Sequence, residues 1–358
     1  MQSSVKKLLA AAMCTAFAWT SFHAPLLFAQ SLAADPSEST VGGTGPIKDE
    51  LTKEVREHVH RGLEWLSHNI NADGTINGGG GDSAAVMALA GLAFLADGDM
   101  PNQGPYGREV DRILDFILKN CQESGLITSQ NYGSPMYGHG FATLFLAEVY
   151  GMSPRPDVKE KLQLAVRLIV NTQNSEGGWR YQPVPQDADL SVTICQIMAL
   201  RAARNAGIKV PQKTVDMAID YVKKSQEPDG GFSYMLNSRG SAYPRSAAGV
   251  ACLYYLRSGV QFEEEMKKGV KYLMQNLPGH GGGAEEYQIF YGNYYATQAM
   301  FMAGGDAWDA FWPAIRKDML QRQQADGSWN SETGQVYGTA MALIMLQVPN
   351  RLLPVLQK

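Results

Sequence analysis

Two acids flank one alanine immediately before an apolar stretch, Asp187-Ala188-Asp189, and His139 stands between two glycines fifty residues upstream. A carboxyl in contact with an imidazole makes a general acid–base pair. Asp189, His139 and Asp187 are therefore the catalytic candidates. Ser191 follows Asp189 by two positions, and Tyr137, Arg245, Tyr291, Asn293, Tyr294 and Tyr337 stand at or near the starts of other apolar stretches. Tyrosines grouped there are unexpected in a dry core, because each hydroxyl needs a partner. Around a cavity their faces would stabilise a cation or an apolar ligand. These seven residues are the candidate cavity lining. A plainer reading stands beside this one: Asp189-Leu-Ser191-Val-Thr193 is good N-cap text, and most aromatics simply fill a core.

Other chemistries lack their residues. No Cys-x-x-Cys pair or Gly-x-Ser-x-Gly elbow occurs, and the glycine run from Gly279 does not end in Lys-Ser/Thr. The sequence thus asks for no metal and no cofactor.

The elements that must position the candidates repeat. Gly74, Gly125, Gly177, Gly230, Gly279 and Gly327 are separated by 51, 52, 53, 49 and 48 residues, a period that marks an array. Around three of them the text also recurs: Gln173-x-x-x-Gly177-x-Trp179, Gln226-x-x-x-Gly230-x-Phe232 and Gln323-x-x-x-Gly327-x-Trp329. An amphipathic helix precedes each glycine, with spacing such as Val215, Ala218, Ile219, Val222. A helix apolar nearly all round follows it: Ala84–Leu95, Phe141–Val149, Val192–Ala203, Ala247–Leu256, Tyr294–Met302 and Tyr337–Leu346. A helix apolar on every side must be buried on every side. Six such pairs describe two concentric rings, an all-α (α/α)6 toroid over residues 51–358. The glycine suits a left-handed turn, Trp or Phe packs across it, and Gln offers an amide to neighbouring backbone. Inner helices that begin at one end place their first turns around one cavity mouth. Aligned on Ala85, Thr143, Thr193, Ala248, Thr297 and Thr339, they carry Gly81, His139, Asp189, Pro244, Asn293 and Gln335 four positions earlier. That alignment puts His139 beside Asp189.

The first residues have another purpose. Lys6 and Lys7 precede an apolar run, and Ser31-Leu32-Ala33 is a small-x-small cleavage site. Residues 1–33 read as a Sec signal peptide and 34–50 as a flexible lead-in, which predicts a periplasmic or secreted protein. Cleavage removes two lysines and no acid, moving the net charge from −4 to −6. That balance argues against nucleic acid as a partner.

Gln-x-x-x-Gly-x-Trp at the junctions of such a toroid resembles the repeat of the squalene and oxidosqualene cyclases and, more weakly, of the protein prenyltransferase β subunits. The resemblance covers residues 53–350. In cyclases an Asp-x-Asp-Asp opens an inner helix, and its middle acid protonates an alkene. Here the text is Asp187-Ala188-Asp189-Leu190, so Asp189 matches that acid while Leu190 replaces the last one. Prenyltransferases bind zinc through Asp-x-Cys and a late His. Asp189-Leu190-Ser191 carries Ser in place of that Cys, Val336-Tyr337-Gly338-Thr339 carries Gly in place of that His, and no zinc site is expected. The resemblance implies a central cavity for an isoprenoid or other apolar small molecule, with Asp-based acid chemistry. Export suits a ligand drawn from a membrane, and with it a peripheral membrane contact. An exported carbohydrate-active (α/α)6 enzyme and a non-catalytic binding or scaffold toroid are the alternatives; the oligomeric state is not encoded in any of these signals.

Overall fold

The computed structural model describes residues 50–77, 83–129, 133–256, 262–277 and 288–357. The signal peptide expected over 1–33, nearly all of the lead-in, Gly81 and Gly279 lie outside the described residues. Within them the chain forms twelve α-helices and no strand longer than an isolated bridge.

The odd-numbered helices form the outer ring: α1 (Lys53–His68), α3 (Gly107–Lys119), α5 (Pro156–Thr172), α7 (Gln212–Lys224), α9 (Glu263–Gln275) and α11 (Gly305–Arg322). Each buries one stripe. In α1 it is Val55, Val59, Leu63 and Leu66, at the three- and four-residue spacing of one helix face. The Thr52 hydroxyl caps the start of α1 by accepting from Val55 N at 3.3 Å. The even-numbered helices form the inner ring: α2 (Ala84–Asp97), α4 (Pro135–Tyr150), α6 (Leu190–Asn205), α8 (Tyr243–Leu256), α10 (Ile289–Ala303) and α12 (Gln335–Gln347). They are buried around most of their circumference, as in α2, where Met87 through Ala96 are all buried. Each packs on the next, and α12 returns to α2, which closes the ring. The expected (α/α)6 toroid is formed.

The repeated text acts as cement. Gly177 has φ of +101°, a region costly for residues with a side chain, and an added Cβ would stand 2.0 Å from the carbonyl oxygen of Met217 on the next outer helix. Gln173 Nε2 donates to Gly177 O and to Thr214 O, each at 2.9 Å. Gln226 makes the same pair of bonds to Gly230 O and Glu265 O. Trp179 Nε1 donates to Ile169 O at 2.8 Å and Trp329 Nε1 to Met319 O at 2.7 Å. The small residues of the first inner turns also bond. Thr193, Ser246 and Thr339 accept from the backbone N–H of Trp179, Phe232 and Trp329. Gly74 and Gly125, whose surrounding text has lost the Gln and Trp, keep positive φ, and their flanking residues form isolated bridges, Ile70 with Ile76 and Cys121 with Ile127, as Gln226 does with Phe232 around Gly230. Backbone geometry thus outlasts the side-chain text.

After α12 the chain turns across one end of the ring. Leu353, Val355 and Leu356 are buried there, and Val355 N donates to Glu148 Oε1 near the end of α4 at 3.2 Å. The opposite end, where the inner helices begin, carries the cavity.

Candidate functional site

First turns of all six inner helices contribute to a cavity of about 570 Å³. Ala85 and Val86 come from α2, Tyr137 and Phe141 from α4, Ser191 from α6, Arg245 from α8, Tyr291 from α10 and Tyr337 from α12. Tyr181 and Tyr234, from the turns preceding α6 and α8, complete an aromatic wall, with Gln288, Glu332 and Thr333 at the rim. The size lies within the ordinary range of small-molecule pockets.

Behind the wall is Asp189, fully buried and the N-cap of α6. Its Oδ1 accepts from Val192 N at 3.0 Å and from the Ser191 hydroxyl at 2.5 Å. Because Ser191 spends its one proton there, the Tyr137 hydroxyl, 2.5 Å from Ser191 Oγ, is the donor in the next bond. Tyr291 donates in turn to the Ser191 carbonyl at 3.2 Å. A directed chain therefore runs from Tyr137 at the cavity through Ser191 to the carboxylate, which leaves the Tyr137 oxygen free to accept. Asp189 Oδ2 is buried without a hydrogen bond, 3.7 Å from Arg180 Nε. Burial holds the carboxyl above the usual carboxylate range, opposed by the bonds from Ser191 and Val192 and by the Arg180 charge. Burial likewise raises Tyr137, reinforced by the Asp189 charge, so its phenol stays protonated.

Sequence reasoning missed Arg180, Tyr181 and Tyr234. Arg180 pairs with Asp187 at 2.8 Å and lies 5.0 Å above the Tyr181 ring and 5.8 Å above that of Tyr234. The two tyrosine hydroxyls bond to each other. A readable signal exists: Trp179-Arg-Tyr181 and Phe232-Ser-Tyr234 place a tyrosine at the same offset from the repeat glycine.

The acid–base pair expected between His139 and Asp189 does not form. His139 Nδ1 accepts from Ile127 N at 3.1 Å, and its Nε2 bonds to Ala165 O at 3.2 Å. Ile127 holds the place of Trp179 after its repeat glycine, so His139 supplies the acceptor that Thr193 supplies one repeat later. Burial pulls the imidazole down to about 4 and keeps it neutral. The alignment failed because α4 starts a turn earlier than α6: Asp189 precedes its helix, whereas His139 is the fifth residue of its own. Asn293, fifth in α10, is likewise buried and accepts from Tyr243 OH at 3.1 Å. Tyr294 packs edge-on against Phe141 and Tyr295 in the core. Neither lines the cavity. Asp187 is exposed and acts only through Arg180. Tyr137, Ser191, Arg245, Tyr291 and Tyr337 do line it, with the Arg245 guanidinium tied to the carbonyls of Phe232 and Gly240.

Paired helical rings around one aromatic-walled mouth define an α/α toroid with a central cavity. The family model of the prenyltransferase alpha-alpha toroid domain matches residues 48–216 and 83–278, and the chain belongs to that family. No curated protein matches it. Among solved structures it is similar to the type II terpene cyclase MstE from Scytonema, with TM-score 0.58 and 13% identity over 84% of this chain and 99% of that one. A variant of that cyclase in complex with geranylgeranyl dihydroxybenzoate gives TM-score 0.58 and 14% identity over 87% and 100%. An inactive variant of an alpha-1,6-mannanase of Salegentibacter sp. HEL1_6, in complex with alpha-1,6-mannotetrose, gives TM-score 0.62 and 9% identity over 83% and 99%. These likenesses establish the shared fold.

Proposed function

We propose that this toroid binds an amphipathic isoprenoid in its central cavity, with the ligand's hydrogen-bond donor seated on Tyr137. The observation that carries the reading is the wall itself: five tyrosines and Phe141 around about 570 Å³. Aromatic faces suit an apolar chain and any positive charge that develops along it. Tyr137 and Tyr291 already donate within the protein, so they offer acceptors to a ligand hydroxyl. The terpene cyclase variant in complex with geranylgeranyl dihydroxybenzoate, an isoprenoid bearing a phenol, supports the same ligand class. Acid chemistry at Asp189 requires its protonated form to donate to Ser191, with both hydroxyls turned round so that Ser191 donates to Tyr137 and Tyr137 to the ligand, because those two groups separate the carboxyl from the cavity. The export signal read in residues 1–33 supports a ligand met at or beyond the membrane.

The mannanase likeness favours a glycan as the second reading. Glycoside hydrolysis ordinarily uses two carboxyl groups across the scissile bond, and the described lining contributes one, Glu332. The test is titration of the chain from residue 34 onward, followed by tryptophan and tyrosine fluorescence, with geranylgeraniol and with alpha-1,6-mannotriose. Saturable binding of the alcohol alone is expected. Binding of the oligosaccharide alone overturns the proposal.

A further inference from the structure

A second cavity, of about 550 Å³, lies between the last turns of α6 and α8 and the flank of α7, remote from the inner-helix starts that form the tyrosine wall. Arg201, Arg204 and Asn205 enter it from α6 and Gln212 from α7, over an apolar floor that includes Ile197 and Val215. Among the described residues no carboxylate lines it.

Arg201 is the anomaly. Its Nε is buried without a hydrogen-bond partner, and its Nη1 makes one long bond, 3.4 Å, to Tyr255 O. No acid lies within ion-pair distance of it among the described residues. Burial and the like charge of Arg204 both pull it below the ordinary arginine range, and only the weak influence of Tyr255 opposes them. A guanidinium keeps its charge in proteins and presents a planar fork of donors. A buried charge is costly unless it is paired. The outer acid nearest in the chain, Asp216, is engaged by Gln212 Nε2 at 2.8 Å and does not line the cavity. Two guanidiniums therefore line one pocket, the half-buried Arg201 and the exposed Arg204, and among the described residues no protein anion lines it with them.

We infer that this cavity is a phosphate-binding site, with the Arg201 fork and Arg204 as its cationic partners. Two guanidiniums suit an oxyanion of more than one charge, and fork-to-phosphate pairing is bidentate. Asn205 adds an amide at the rim. The site is independent of the tyrosine cavity and of whatever that cavity binds.

The test uses the mature chain in chloride buffer at low ionic strength. Inorganic phosphate is titrated calorimetrically and its effect on Tm recorded; vesicles of phosphatidylcholine with phosphatidic acid are tested by co-sedimentation. The wild type is expected to bind saturably and to melt higher with the anion present. Arg204→Gln, an exposed change, should weaken binding about tenfold, the loss of one charge-assisted contact. Arg201→Leu should abolish the response and melt above the wild type in phosphate-free buffer, because it removes a half-buried charge whose Nε is buried without a partner. Binding of inorganic phosphate identifies a soluble anion, whereas binding of the vesicles alone identifies a lipid headgroup; both outcomes uphold the site. Absence of binding to either probe, or equal binding by wild type and Arg201→Leu, overturns it.

Discussion

Gln323 Nε2 donates to the carbonyl oxygen of His58 at 2.9 Å, joining the last outer helix to the first across 265 residues. The same amide holds Gly327 O at 2.8 Å, and Arg61 Nη2 donates back to Gln323 Oε1 at 2.6 Å. Together with Gln347 Nε2 on Ala93 O at 3.0 Å, these bonds link the ends of the array in both rings. A closed ring gives every helix two lateral neighbours, which an open stack of repeats denies to its ends.

Gln323→Ala removes one amide that serves two carbonyls. It is expected to lower stability by about 1–3 kcal/mol, the cost of leaving polar groups unpaired. Gln226→Ala breaks the equivalent pair inside the array and should cost a similar amount. Gly177→Ala should cost more than either, because its Cβ meets Met217 O at 2.0 Å in a backbone region hostile to alanine. Urea unfolding of the three variants checks the order.

His139→Ala strands Ile127 N and Ala165 O in the core and is expected to cost about 2–4 kcal/mol. Its pH signature separates it from a catalytic group. The folded imidazole sits at about 4, below the ordinary 6.5. The unfolded chain therefore binds the extra proton. The wild type should lose stability as pH falls from about 6.5 through 4, and the variant should lose that slope. Ligand affinity per folded molecule should be unchanged, because both ring nitrogens face backbone.

Much of this architecture is legible in the sequence. The fifty-residue glycine period implies the rings, since a turn that must take positive φ tolerates few other residues, and Gln and Trp bond where their chemistry predicts. The cavity mouth followed from helices that all begin at one end. Two things were hidden. Helix starts vary by a turn, so His139 and Asp189 share an alignment column without sharing a ring position. Arg180 and its two tyrosines lie in turns, where no helical period orders the side chains.

Glu148 should make the protein less stable in mild alkali. Burial raises this carboxyl to about 8, opposed by the bond from Val355 N, so the folded state holds a proton that the unfolded chain releases near 4.5. Stability should fall as pH rises from about 4.5 to 8, approaching about 1.4 kcal/mol per unit inside that window. Glu148→Gln keeps an acceptor for Val355 N and cannot ionise. It should melt higher than the wild type at pH 8 and nearly alike at pH 4.5, as scanning calorimetry at the two values would show.

Tyr137→Phe and Asp189→Asn together test whether the hydroxyl chain recognises the ligand or only braces the helix. The phenylalanine keeps the aromatic face and deletes the acceptor that Tyr137 turns to the cavity. Geranylgeraniol should then bind about tenfold more weakly, the worth of one neutral hydrogen bond at the upper end of its range, while squalene, which carries no hydroxyl, should bind as before. The asparagine keeps Oδ1 for Val192 N and Ser191, so α6 stays capped and Tyr137 stays oriented. Its effect on geranylgeraniol affinity should be small. Any turnover of a bound isoprenoid should vanish in this variant, because an amide has no carboxyl proton to exchange through Ser191 and Tyr137. Equal loss of both ligands in Tyr137→Phe would point to a collapsed cavity wall rather than to a lost contact, and retained turnover in Asp189→Asn would remove the buried carboxyl from the chemistry.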